Sequence, residues 1–315
     1  MPIKAGDPIG VVGQQLLRAT EQHPDVHRLR RTRHTDNMKT ISAFMLVLSH
    51  LAISHAWKCQ EVLGVNHATQ IDAGLGLVAV TDKSHHSHLL SGSHWYNLPG
   101  NNLRHVSVGH AGIWGVDTKS KVHRLQGGAW TNVPGTLTQV DAGGNAYAVG
   151  VLNNFNSYCL SNSYTWGLNH VAQFPWTTLG TSLHYYSCGF HGCWAVDSAY
   201  RVYYTRFSCS HPHWTLVRGL RLKMIEVGSD GTVFGVTPSG QVYERAGIDA
   251  SVPLGLRWTN VPMCVSIRHV SYDLGHLWAV SHSGLILRCT KSPIVNPLVV
   301  QPPGVVDTPP LSPLV

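Results

Sequence analysis

From residue 57 onward, apolar positions alternate with polar ones in runs of four to six residues, each ended by Gly, Asn or Asp. Lys121-Val122-His123-Arg124-Leu125 and Arg201-Val202-Tyr203-Tyr204 are examples. A period of two predicts half-buried β-strands separated by tight turns. No stretch between 57 and 290 carries its apolar residues at helical spacing. The runs recur as a longer phrase. An aromatic residue leads a polar step into Pro-Gly or its remnant, as in Trp95-Tyr96-Asn97-Leu98-Pro99-Gly100 and Trp130-Thr131-Asn132-Val133-Pro134-Gly135. A strand and a Gly turn follow, as in Val140-Asp141-Ala142-Gly143, and then a small residue with Val, as in Gly115-Val116 or Ala195-Val196. Six copies begin at Cys59, Trp95, Trp130, Trp176, Trp214 and Trp258, spaced by 36, 35, 46, 38 and 44 residues.

Periods of this length predict arrays or propellers. A single copy cannot bury both faces of its sheet. Arranged radially, each copy covers its neighbours, and closing the ring protects the edges. The expected fold is all-β, a six-bladed β-propeller over residues 57–290. An open β-solenoid is the weaker alternative, because solenoid repeats are usually shorter and less rich in Trp.

The copies also alternate in chemistry. The first, third and fifth carry an acid in the first strand (Asp72, Asp141, Glu226), where the second, fourth and sixth carry Ser107, Ser187 and Ser271. Two residues earlier, Gln70, Gln139 and Met224 alternate with His105, Tyr185 and His269. Trp114, Trp194 and Trp278 precede the small-Val pair only in the even copies. The array therefore reads as three two-blade units. Period-two geometry places each acid on the same face as the residue two before it. That face could hold a cation such as calcium through Asp72, Asp141 and Glu226. The better-supported reading is that the carboxylates bond neighbouring blades.

Composition narrows the function. Hydrophobic residues are 43% of the 315-residue chain and charged ones 12%, which fits a protein with a real core. The net charge is +7, but six Lys/Arg and four acids lie within residues 1–37. No basic stripe follows, so nucleic-acid binding is not expected. The 21 His residues would add positive charge in acid. His85-His86-Ser87-His88 could suggest a metal, but a solvated hairpin is the simpler reading. No nucleophile motif, phosphate loop or zinc triad is present, so no enzyme activity and no required cofactor are expected.

Met38-Lys39-Thr40, the apolar run Ile41–Ile53 and Ser54-His55-Ala56 read as a secretory signal peptide over 38–56. The run is too short for a membrane span. Residues 1–37 lack repeat character, and 291–315 read as a Pro-rich disordered tail. All seven cysteines follow the leader, so they read as disulfides of a secreted, extracellular protein. Cys59 opens the first copy and Cys289 ends the last, so a Cys59–Cys289 bond would staple a closed ring. Cys188 and Cys193 flank a turn, Cys159 with Cys209 is a third pair by elimination, and Cys264 remains.

The Trp-led Val-Pro-Gly step, the Asp-Ala-Gly turn, Trp114-Gly115-Val116-Asp117, Tyr186-Ser187-Cys188-Gly189, Met224-Ile225-Glu226-Val227-Gly228 and His269-Val270-Ser271-Tyr272-Asp273 resemble the tectonin repeat. They are most similar to its form in the fish-egg lectins. The resemblance covers about residues 57–290. It implies a six-bladed propeller of four-stranded antiparallel blades. It also implies a secreted lectin of innate defence that binds microbial glycans multivalently, including N-acetylglucosamine, galactose-type sugars and lipopolysaccharide, with calcium in some members. In the family pattern the partner of Cys264 falls at Ser281 here. A sugar site needs an aromatic face and a few polar groups. The candidates are Asp117, Lys119, Asn153, Asn154, Asp197, Tyr200, Trp114, Trp194 and Trp278, with packing and turn formation as the plainer roles for each. A homo-oligomer would add valency. A protein-interaction propeller and a calcium-dependent hydrolase are the alternatives.

Overall fold

The computed structural model describes residues 57–292, except 101, 145–146, 162–175, 207–208 and 210–211. These residues fall within one compact unit, His55–Val315. The upstream segment 1–37, the leader 38–56 and the tail beyond Ser292 lie outside the described residues.

The first strand is β1 (Trp57–Glu61). Blade one is β2 (Ala68–Gly74), β3 (Leu77–Asp82), β4 (Ser87–Ser91) and β5 (His94–Leu98). Blade two is β6 (Leu103–Gly109), β7 (Gly112–Asp117), β8 (Lys121–Gln126) and β9 (Ala129–Thr136). Blade three is β10 (Gln139–Asp141), β11 (Ala148–Val151), β12 (Asn156–Leu160) and β13 (Thr177–Ser182). Blade four is β14 (Tyr185–Gly189), β15 (Gly192–Val196), β16 (Arg201–Thr205) and β17 (Thr215–Arg221). Blade five is β18 (Met224–Val227), β19 (Val233–Val236), β20 (Val242–Ala246) and β21 (Arg257–Val261). Blade six is β22 (Ile267–Asp273), β23 (His276–Ser281) and β24 (Ile286–Lys291), completed by β1. The result is a six-bladed propeller of four-stranded antiparallel sheets. Among the described residues, no helix is long and apolar enough to cross a membrane.

The blades are out of phase with the sequence copies. Each Trp-led step forms the outermost edge of the preceding blade, and the new blade starts after it. A repeat read along the chain has no intrinsic phase, so only the pairing fixes this offset. It is also what closes the ring, because β1 supplies the outer strand that the sixth sheet lacks. In blade one, Val78 faces Leu90, which faces Trp95. In blade six, Leu277 faces Cys289, which faces Cys59. Cys59 therefore occupies the place of the leading Trp. Disulfides join Cys59 to Cys289, Cys159 to Cys209 and Cys188 to Cys193, while Cys264 is free and exposed.

Burial follows position in the sheet. Inner strands such as β14 and β18 are buried along their whole length, whereas outer strands such as β5 and β21 are exposed at most positions. A strand covered on both faces carries apolar or small residues at every position, and one covered on a single face alternates. The Gly of the Asp-Ala-Gly column has a steric cause. A Cβ on Gly74 would strike the Val108 carbonyl, one on Gly109 that of Ala142, and one on Gly143 that of Cys188. Each of these backbones is pressed against the inner strand of the next blade.

The tryptophans serve the same joints. Trp114 of blade two meets Trp176 of blade three edge-on at 6.2 Å, and Trp194 of blade four meets Trp258 of blade five at 6.1 Å. Trp278 of blade six shares a core cluster with Trp95 of blade one. Each two-blade step therefore places a buried Trp of an even blade against the leading Trp of the next blade.

Candidate functional site

The innermost strands β2, β6, β10, β14, β18 and β22 pack side by side around the axis. His105, Tyr185 and His269, from the even blades, meet there as a near-equilateral triangle with ring centroids 5.8–6.0 Å apart. The Tyr185 hydroxyl lies 2.9 Å from His269 Nε2 and 3.3 Å from His105 Nε2. All three side chains are buried. Burial, then the charge of Arg104, pushes His105 down to about 3. Burial and the His105 and Lys223 charges hold His269 well below the usual imidazole range. Both rings are therefore neutral at physiological pH.

The carboxyls of the odd blades form a second ring. Asp72 Oδ2 accepts the Val108 N–H of blade two at 2.6 Å, and Asp72 Oδ1 accepts the Ser271 hydroxyl of blade six at 2.8 Å. Asp141 accepts the Cys188 N–H of blade four at 2.9 Å and the Ser187 hydroxyl at 3.2 Å. The serines return the contact: Ser271, Ser107 and Ser187 accept the N–H groups of Ala73, Ala142 and Val227. Gln70 and Gln139 use both ends of their amides on the next inner strand, at Val106 and Tyr186. The third unit differs. Met224 has no amide to offer, and the longer Glu226 reaches back to Ser187 at 2.9 Å and Tyr185 at 3.4 Å.

Burial raises Asp72 to about 6, against opposing bonds from Val108, Ser107, Ser271 and Ala73. Burial and the Asp72 charge raise Asp141 to about 8. Burial with both aspartate charges lifts Glu226 well above the carboxylate range. Calcium takes six to eight oxygen ligands. Here the carboxyl oxygens are engaged by N–H and O–H donors from adjacent blades, and among the described residues no group of three His, Cys, Asp or Glu is placed to hold a metal ion. The donor set does not fit a calcium ion.

The loop candidates lie in the turns between the second and third strands. Asp117 Oδ1 accepts the N–H groups of Lys119 and Lys121 at 2.8 Å, and Oδ2 contacts His123 Nε2 at 3.1 Å. Asp197 repeats this with Ala199, Arg201 and Tyr203, and Asp82 with Ser84, His86 and His88. His86 and His88 are thus partners of Asp82, the role of a hairpin brace. Asn154 accepts the Asn156 N–H, and Asn153 and Lys119 are exposed. Partial burial pushes Asp117 up, but the bonds from His123, Lys121 and Lys119 outweigh it and hold the carboxyl low.

The next residue in each turn joins blades. The carbonyls of His85, Ser120, Phe155, Tyr200, Gly240 and Gly284 accept the N–H that starts the next inner strand, at Leu103, Leu137, Leu183, Leu222, Ile267 and Ala68. All six have positive φ, which Gly tolerates and Tyr200 adopts at 63°. Asp117 and Asp197 are therefore turn anchors that aim an inter-blade bond. Asp117→Ala should lower stability by about 1 kcal/mol, measured by thermal denaturation, through loss of the bonds that shape the turn.

Trp114, Trp194 and Trp278 are corrected as sugar contacts. They are 0%, 1% and 6% exposed and lie inside blade cores, so no ring face is open to a ligand. Sequence reasoning missed the open grooves. One of about 350 Å³ lies between blades one and two, lined by Leu75, Ile113, His110 and Arg124. A second of about 430 Å³ in blade four is lined by Leu216, Arg201, Arg218 and Arg221. A third of about 430 Å³ in blade five is lined by Gln241, Asn260, Met263 and Ser266. Each combines apolar surface with polar groups. The grooves sit on strand edges and links that look like spacers in a repeat.

Comparison with known proteins gives both family and fold. The tectonin domain family model matches residues 67–282. A fish-egg lectin of Cyprinus carpio is 37% identical over 159 residues, which is 48% of this chain and 65% of that protein, just under two thirds of its length. Among solved structures, the β-propeller domain of Cps50 (Swd1) from Myceliophteria thermophila has a TM-score of 0.51 at 8% identity, covering 75% of this chain and all of that one. Virginiamycin B lyase from Staphylococcus aureus has a TM-score of 0.50 at 10% identity, covering 74% of this chain and 99% of that one. At such identities, these two structures speak to fold alone.

Proposed function

The chain belongs to the tectonin family, and from that premise we propose that it is a secreted lectin that binds microbial-surface glycans multivalently, without catalysis. The observation that carries this reading is the 37% identity to the carp fish-egg lectin. Three disulfides suit an oxidising compartment, as the leader-like segment 38–56 does. Grooves in different blades favour several weak sites over one deep cleft. Weak sites on a rigid ring reach high avidity on a dense glycan surface, and self-association would multiply it.

The ligands expected are N-acetylglucosamine, galactose-type sugars and lipopolysaccharide. A glycan array probed with and without chelator tests the reading. Binding to several of these that weakens steeply as glycan density falls supports it. A folded protein that retains no glycan in either condition overturns it. Binding abolished by chelator would place a calcium site outside the carboxyl ring.

A further inference from the structure

We propose that the joint between blades five and six, at Lys223, Arg268 and His282, is a binding site for a phosphoryl group carried by a sugar. The sugar in this proposal rests on the lectin reading, but the anion site does not. Six residues immediately follow the buried residues whose N–H groups take the inter-blade bonds: Thr69, Arg104, Thr138, His184, Lys223 and Arg268. They occupy the same position of the repeat, one per blade. Four are cationic or imidazole side chains and none is acidic.

At the fifth and sixth blades two cations are neighbours. His282, on the turn after β23, joins them. Lys223 Nζ lies 3.3 Å from His282 Nε2 and 3.2 Å from the Ile267 carbonyl. The Arg268 guanidinium reaches the His282 carbonyl at 3.4 Å. Two cations of the described residues have carboxylate partners, Arg201 with Asp197 and Lys291 with Glu244. Among the described residues, no carboxylate lies within ion-pair distance of Lys223 or Arg268. Burial and the Arg268 charge push Lys223 down, and burial with both cations pushes His282 down.

Like charges held together without a counter-ion are destabilising, and a bound anion relieves this. An ammonium beside a planar guanidinium suits a tetrahedral oxyanion, since the Arg fork can take two oxygens and the Lys a third. Room for the rest of the ligand adjoins the cluster. The His282 N–H bonds the Ser266 carbonyl at 3.0 Å. Ser266 also lines the blade-five groove with Ser239, Gln241 and Asn260. A sugar in that groove would carry its phosphate toward Lys223 and Arg268.

The test uses the folded protein and three probes: inorganic phosphate, N-acetylglucosamine 1-phosphate and N-acetylglucosamine. NMR of the His282 ring is the local readout. Both phosphates should shift its resonances and raise its titration midpoint, because a bound anion favours the imidazolium. The sugar phosphate should bind more tightly than inorganic phosphate. Lys223→Gln with Arg268→Gln should weaken both by about tenfold or more, and Lys121→Gln should not. Unchanged phosphate affinity in the folded double variant, or His282 rings that do not respond, would overturn the site. A sugar phosphate no tighter than inorganic phosphate would overturn the sugar. Neutral N-acetylglucosamine and the glycan array report on the lectin reading separately, since that reading can fail while phosphate still binds, and the reverse.

Discussion

Replacing both Cys59 and Cys289 with Ser lowers the stability of the propeller by about 5 kcal/mol on the chain-entropy account, and by no less than about 2 kcal/mol after strain is allowed for. The two residues are 230 apart in sequence and directly opposite in the β1–β24 pair. In the unfolded chain the bond removes the freedom of nearly the whole described domain. In the folded chain it fixes the strand most easily lost, a five-residue edge tied to the rest by one ladder. Denaturant titration of the double variant against wild type measures the effect, with Cys264→Ser as the control that leaves stability unchanged. A loss below about 1 kcal/mol would mean that the β1–β24 ladder closes the ring without help from the bond.

The second large effect is a fall in stability from pH 6.5 to 8.5, flattened in Asp141→Asn. The folded pKa values of Asp72, about 6, and Asp141, about 8, lie above the unfolded value, and that of Glu226 is also raised well above its ordinary range. A raised carboxyl binds more protons folded than unfolded, so its contribution is complete below the unfolded pKa and is lost as pH rises through the folded one. The buried imidazoles act in the opposite sense. His105 and His269 are depressed, so their contribution is complete above the unfolded value and is lost as pH falls below it. The two effects oppose one another between the unfolded carboxyl and imidazole values. Above pH 6.5 Asp141 titrates through its folded value of about 8, and the roughly 1.5 units up to that value are worth on the order of 2 kcal/mol. Thermal melts across that window measure the slope. A melting temperature that stays level across the window would show that the ring is fully ionised in the native state. Asp141→Ala removes the acceptor as well, orphaning the Cys188 N–H and part of the Ser187 hydroxyl, and should cost about 2–3 kcal/mol at pH 6.5 and less at pH 8.5.

Much of this was legible in the chain. Alternation and period gave six all-β units, and the acid/Ser alternation marked pairs of blades, because the residues that touch the next blade recur at a fixed place. Cys59 could be read as the ring closure because it breaks a column of tryptophans. The blade boundary was not legible. A periodic pattern says which residues are equivalent but not where one sheet ends and the next begins. Nor was the burial of Trp114, Trp194 and Trp278, since an aromatic residue at regular spacing serves a joint or a ligand equally well in sequence. The third unit is marked in sequence by Met224 and Glu226, but the contacts of the longer carboxyl with Ser187 and Tyr185 of blade four show only in coordinates. The basic joint at Lys223, Arg268 and His282 draws single charges from three segments, each unremarkable by itself.

The bond between Cys59 and Cys289 also bears on what a protease can do. Main chain and disulfide together trace one covalent macrocycle that spans all six blades. A single cut in any turn between the two cysteines linearises that circle but releases no fragment. Two cuts, or one cut with reduction, are needed before any blade can leave.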